Sequence, residues 1–399
     1  MDSVWFTAAL WLGLAFLATL LGIWLRVSVA LAEITVGILA QFLLQSARLG
    51  GLLRPGEPWI AFLAGTGSVV LTFLAGAELD PEAFRKRWKE ATAIGLVGFA
   101  APFLGAAWAA QRILGWPVQA SWLAGVALST TSVAVVYAVL LELGLNRTEY
   151  GKVILAACFI NDLGTVIALG LLFAPFTART VAFALILTAG LWFLARSVGS
   201  FFRRYGGRTS EVEAKLLLLI LFALGGLAAW SGSEAVLPAY LIGMALAGSV
   251  GRDHALVRRL RTLTFGLLTP FYFIRAGSFV QLPTVLAGFG TFAVLFFAKA
   301  LSKFVGIFPL TRVYGYARDE GMYTTLLMST GLTFGTISAL YGLTHGILTQ
   351  AQYSFLVATV IASAVVPTWI ANRFFLPGHH IAHASASSGV GVARPQEGM

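Results

Sequence analysis

Long apolar windows separated by short polar connections run along almost the whole chain. A membrane-crossing helix needs roughly 20 mostly apolar residues. That window predicts 13 spans, at about 5–25, 29–47, 58–78, 90–112, 119–142, 150–173, 178–199, 213–231, 234–250, 263–281, 287–310, 321–343 and 351–374. The basic residues test this count. Alternate connections hold Arg26; Arg85, Lys86, Arg87 and Lys89; Arg147 and Lys152; Arg196, Arg203, Arg204, Arg208 and Lys215; Arg252, Arg258, Arg259 and Arg261; Arg312 and Arg318; and Arg373 and Arg394. The other side holds Arg48, Arg54, Arg112 and Arg179. Of 27 Lys and Arg, that is 20 against 4, with Arg275, Lys299 and Lys303 left inside spans. A wrong count would scramble the alternation. The positive side is the cytoplasmic one, so the C-terminus is expected in the cytoplasm and the N-terminus outside.

Composition agrees with the pattern. The chain is 58% hydrophobic and 11% charged, against about 25% charged in soluble domains. The net charge of +10 is explained by cytoplasmic loops, and no basic, aromatic-interleaved patch suggests nucleic acid. A single Cys excludes a disulfide framework, and its apolar setting argues against a redox or metal role. The opening "MDSVWF" has no basic n-region, so it reads as a retained span. Residues 377–399 are small, polar and expected to be disordered.

Few ionisable residues sit at membrane depth, where each is a functional candidate by default. They are Glu33, Asp162, Arg275, Lys299 and Lys303, with Glu78 and Glu234 near span ends. Asp162 lies in "CFINDLGTV" near the middle of its span, too deep to snorkel. It must be neutralised, paired or exposed to a water-filled cavity. A carboxylate alternating between proton and cation uses all three; a permanent helix-fastening ion pair is the bland reading. Lys299 is the expected partner, as a functional pair or as a static one. Lys303 lies one turn further on the same face and is expected to pack and snorkel.

Two stretches are polar without charge. "ALSTTSVAVV" (127–136) gathers Ser129, Thr130, Thr131 and Ser132, and "MSTGLTFGTIS" (328–338) gathers Ser329, Thr330 and Thr333 among glycines. Such hydroxyls often only bond back to their own helices. Sliding span 5 by 198 residues lays Thr131-Ser132 on Ser329-Thr330, an internal echo of the kind that inverted-repeat transporters leave. These proteins place interrupted helices at the substrate site, and unwound backbone at that depth is tolerated where it lines a cavity.

"FLAGAELDPEAFRK", "ALSTTSVAVVYAVLLELGL", "GKVILAACFINDLGTVIALGLL" and "FFAKALSKFVG" resemble successive signatures of the bacterial sodium/proton exchanger family. The similarity is strongest to the cation:proton antiporter-2 branch of NapA-type and Kef-type proteins. It covers nearly all of the membrane chain. It implies an all-α polytopic fold of about 13 spans, in two inverted repeats with two crossed, discontinuous helices. It also implies dimerisation-domain helices at 1–80 and 201–285, a core ion-binding domain at 81–175 and 286–376, and a linker helix at 176–200. By the resemblance, Asp162 binds cation or proton and Asn161 stands where electrogenic members have a second Asp. Thr130 and Thr131 fall at the crossover, lined further by Ser132, Ser329, Thr330 and Thr333, and Lys299 is the core lysine.

Three departures stand out. Asn-Asp for Asp-Asp goes in the family with electroneutral exchange, yet Lys299 is kept where many electroneutral relatives carry Arg. "STGLTFG" replaces a "PRGE"-like sequence in span 12. Arg275 occupies a position that is usually apolar, and Glu33 or Glu78 are its expected ion-pair partners; on that reading Arg275→Met is tolerated only when the partner is neutralised too.

The expected function is therefore Na⁺ or K⁺ exchange for H⁺ by a homodimer in the bacterial inner membrane, with no cofactor. Two other readings compete. A Kef-type K⁺ efflux pore would here need a separate regulatory subunit, which nothing in the sequence indicates. A non-transporting sensor or scaffold would hold Asp162 and Lys299 as a static pair. No nucleotide loop, metal cluster or hydrolytic constellation points to an enzyme.

Overall fold

The computed structural model describes residues 4–25, 27–77, 87–173, 177–207, 210–233, 235–250 and 253–377, which are helices and connecting turns. Glu78, Glu234 and nearly all of the tail (378–399) lie outside the described residues. The first helices are α1 (Val4–Leu25), α2 (Val29–Ser46), α3 (Pro58–Ala77) and α4 (Trp88–Arg112). Then come α5 (Val118–Ser129), α6 (Val133–Glu142), α7 (Glu149–Phe173), α8 (Ala178–Tyr205) and α9 (Val212–Ser231). The remainder are α10 (Val236–Leu246), α11 (His254–Leu263), α12 (Thr269–Ser278), α13 (Leu282–Ala287), α14 (Phe289–Val313), α15 (Arg318–Met328), α16 (Thr333–Thr344) and α17 (Gln350–Phe374).

Among the described residues, 11 helical segments are by themselves long and apolar enough to cross a membrane. The windows at 234–250 and 263–281 are the other two of the 13 expected. The first holds the short α10. The second falls in a continuous helical run, 254–278, widened by a π-type turn, Thr264–Leu268, between α11 and α12. Pro270 has no N–H to return to the carbonyl of Gly266. Thr269 N–H reaches back to Thr264 instead, closing the wide turn.

Spans 5 and 12 are interrupted, as the hydroxyl clusters predict. The first break, residues 130–132, separates α5 from α6; the second, 329–332, separates α15 from α16. Thr130 is extended (φ −62°, ψ 151°), and the Ser132 hydroxyl caps α6 by accepting from Val135 N–H. In each interrupted span 78% of the most apolar window is buried, against 17% for α8. The breaks thus lie inside the protein, while α8 presents most of its surface outward.

The helices form two bodies. In one, α2 packs on α12 and α3 on α10. Glycine allows the first contact, because a Cβ on Gly37 would strike the Ile274 carbonyl and one on Gly277 the Ile34 carbonyl. Small residues permit such backbone contact where lipid supplies no hydrophobic drive between helices. In the other body α4 touches α5, α7 and α14, and α16 lies against α5 and α17.

Candidate functional site

The site forms where α7 passes the two breaks. Asp162 and Asn161 are 2% and 0% exposed, midway along α7. Thr131 donates its hydroxyl to the Met328 carbonyl at 2.7 Å, and Ser132 N–H donates to Thr330 O at 3.1 Å. These two bonds join the breaks directly. Each break exposes carbonyls that have lost their helical partners, and the side chains around them supply the missing donors.

Asn161 is one of those donors. Its amide gives a hydrogen bond to Ser129 O (3.2 Å), at the end of α5. Thr165 Oγ1 donates to the Asn161 carbonyl (3.1 Å) and lies 3.3 Å from the Ser129 hydroxyl. Asn161 therefore ties α7 to α5. Thr330 and Ser329 donate back to Leu327 and Thr325 within α15, the bland role. Thr130 donates to Ala127 O, also locally.

The two lysines of α14 complete the crossing, and their roles differ from the sequence expectation. Lys299 Nζ donates to the Thr130 carbonyl at 3.3 Å. It packs so closely on the second break that a Cβ on Gly331 would collide with it. Lys303 Nζ donates to Thr131 Oγ1 at 2.9 Å and is 0% exposed. Lys303 does not snorkel: its face of α14 turns inward, onto the first break. No ion pair closes between Asp162 and either lysine.

Asp162 lines a cavity of about 350 Å³ together with Thr131, Ser132 and Thr333 of the breaks. Leu71, Leu74 and Ala75 of α3, with Arg261 and Phe265, form the facing wall. Asn161, Thr130, Ser329 and Thr330 are not in its lining. Asp162 Oδ1 and Asn161 Oδ1 are buried without a hydrogen-bond partner. Buried polar atoms are normally satisfied, and an unpartnered carboxylate oxygen at a cavity wall is able to take up a proton or a cation. The carboxylate, hydroxyl and carbonyl oxygens gathered here suit a hard cation.

Arg275 is not paired with Glu33. Its Nε donates to Pro55 O at 2.8 Å, and its guanidinium lies over the Phe279 ring, 5.1 Å from the centroid. Glu33 is in the second turn of α2, whereas Pro55 follows the far end of that helix. The 13 residues from Glu33 to Ser46 span about 20 Å at 1.5 Å per residue. Glu33 itself is 1% exposed and makes no ion pair among the described residues. Tyr240, which the sequence reading missed, donates from α10 to Phe159 O (2.9 Å) and meets Phe334 edge-on, bridging the two bodies beside the site.

The family model described as sodium/hydrogen exchanger, transmembrane, matches residues 12–375. The chain belongs to this family. It is 24% identical over 332 residues to "Probable Na(+)/H(+) antiporter 3" of Methanocaldococcus jannaschii, covering 79% of this chain and 84% of that one. It is 26% identical over 346 residues to "Cation/H(+) antiporter 17" of Arabidopsis thaliana, covering 81% of this chain and 42% of the relative. The chain thus spans less than half the length of that plant protein. The solved sodium proton antiporter MjNhaP1 from Methanocaldococcus jannaschii superposes with a TM-score of 0.65 over 94% of this chain and 97% of its own, at 16% identity. That likeness shows the fold.

Proposed function

We propose that the protein exchanges a monovalent cation, Na⁺ or K⁺, for a proton at Asp162, with alternating access. The observation that carries the proposal is the buried Asp162 carboxyl, with an unpartnered oxygen, in a cavity wall beside two crossed helix breaks. An ionised carboxylate at that depth is costly to move through a bilayer. A bound proton or a bound cation removes the charge, and the two cannot occupy the same oxygens together. If only the occupied site crosses, each cycle trades one ion for the other. The Thr131, Ser132 and Thr333 hydroxyls in the same cavity wall offer further oxygens for a cation. Asn161 positions α7 and adds no charge, which favours exchange of one cation for one proton. No cofactor is needed.

The remaining assignments belong to the same proposal. The body built on α2, α3, α10 and α12 would form the dimer scaffold, and the body with α4–α7 and α14–α17 would move against it. The chain would sit in the bacterial inner membrane with its C-terminus in the cytoplasm, as its basic connections favour.

Proton flux in proteoliposomes, driven in turn by Na⁺, K⁺ and Li⁺ with and without a clamped membrane potential, tests this. One of these ions is expected to drive flux that is insensitive to the clamp. Asp162→Asn is expected to abolish that flux while the protein stays folded. Exchange that survives Asp162→Asn would remove the carboxylate from the mechanism.

A further inference from the structure

Two cavities between the bodies share α6 as a wall, and α6 leads from the first break toward one end of the bundle. A second cavity of about 610 Å³ separates Leu25, Ser28 and Leu31 from Val139, Thr368 and Trp369 at the same end. The opposite end is closed by a polar seam between the first turns of α17 and the end of α12. Tyr353 donates its hydroxyl to Ala276 O at 2.5 Å, and Gln281 N–H donates to the Ser354 hydroxyl at 2.9 Å. The Gln350 amide donates to Phe279 O. Trp369 and Gln350 stand 19 residues apart on one helix, or about 28 Å, so cavities and seam occupy different ends.

We propose that this seam is the latch that keeps Asp162 open to one side only. Two of its acceptors, Ala276 O and Phe279 O, are carbonyls at the end of α12 that no helical N–H can reach. They must be satisfied from outside the helix, and here the other body does it. Water can replace those donors when the bodies part, so the seam closes firmly and opens without stranding a buried group. Buried apolar side chains around it, Val280, Val285, Phe355 and Leu356, keep water out while it is shut. The inference rests on the exchange reading, since a latch matters only if Asp162 must face both sides.

The test uses the full chain in liposomes with its one cysteine removed (Cys158→Ala) and a membrane-impermeant maleimide. Val166→Cys reports from α7 one turn beyond Asp162, where Val166 is buried, and Ala134→Cys reports from the cavity wall. Tyr353→Phe with Ser354→Ala removes two of the three bonds. At the usual value of a buried hydrogen bond this shifts the equilibrium about 5–30-fold. The Val166→Cys reporter is expected to label faster by that factor, from the side opposite to Ala134→Cys, whose labelling does not rise. Unchanged Val166→Cys labelling, or a rise at both reporters together, overturns the latch. A second pair guards against misfolding: a disulfide from Gln281→Cys and Ser354→Cys should block Val166→Cys labelling until it is reduced, and labelling that ignores the disulfide also overturns the latch. Labelling that shifts as stated in liposomes without exchange upholds the latch and rejects the exchange reading; intact exchange with unmoved labelling rejects the latch alone.

Discussion

Thr131→Val is the sharpest test of the crossing. The substitution keeps the branched shape and removes one hydroxyl, which is 1% exposed and carries two bonds, to Met328 O and from Lys303 Nζ. Hydrogen bonds between membrane helices average about 0.6 kcal/mol in mutant cycles, which sets the scale for the neutral bond. The bond from the ammonium is of the charged kind, worth about 1.5–3 kcal/mol. The variant should therefore lose about 2–4 kcal/mol of stability, read as a shifted unfolding curve of the purified protein in detergent. Thr131→Ser should recover most of it. A double-mutant cycle with Lys303→Met should give a coupling energy of about 1–3 kcal/mol. A cycle that closes to zero would mean that Lys303 does not bond Thr131, and the assignment of Lys303 to the crossing would fall.

The two lysines should separate in transport assays. Lys303→Met removes a cation bonded to Thr131 in the wall of the Asp162 cavity, so it should lower the half-saturating cation concentration, whereas Lys299→Met should act mainly on stability through the lost Thr130 bond; the reverse pattern would give Lys299 the role of charge partner. Arg275→Met should cost about 1–3 kcal/mol for its bond to Pro55 and its contact with Phe279, and Glu33→Gln should neither rescue nor worsen it. Unfolding curves of the two single variants and the double variant check this, and non-additivity beyond about 0.5 kcal/mol would restore an Arg275–Glu33 pair.

What the sequence disclosed follows from where polar atoms can survive. A carboxylate, an amide and clustered hydroxyls in apolar windows are costly unless partnered, so Asp162, Asn161 and both helix breaks were legible. Which groups partner them was not, because the answer depends on how far apart the helices bring their ends. Lys303 and Lys299 differ by one turn on one face, and only the register of α14 against the first break decides which reaches Thr131. For Arg275 the sequence points to Glu33 or Glu78 because carboxylates are visible in it; the carbonyl it bonds belongs to Pro55, which any residue could supply, and Glu78 lies outside the described residues. Mean hydropathy places a window at 263–281 but does not register the missing N–H of Pro270, which accompanies the wide turn between α11 and α12.

The bonds that pin the crossing have a consequence for energetics. Lys303, Thr131, Met328, Asn161 and Ser129 all belong to α5, α7, α14 and α15 or to the break between α5 and α6, and their bonds do not reach the other body. In an exchanger built this way, the oxygens of the crossing travel together, and what changes from one face to the other is the wall opposite them, here Leu71, Leu74, Ala75, Arg261 and Phe265. Any difference in affinity between the two sides then has to come from that wall, and changes there should tune how fast the exchanger turns over while the two ion gradients set its direction.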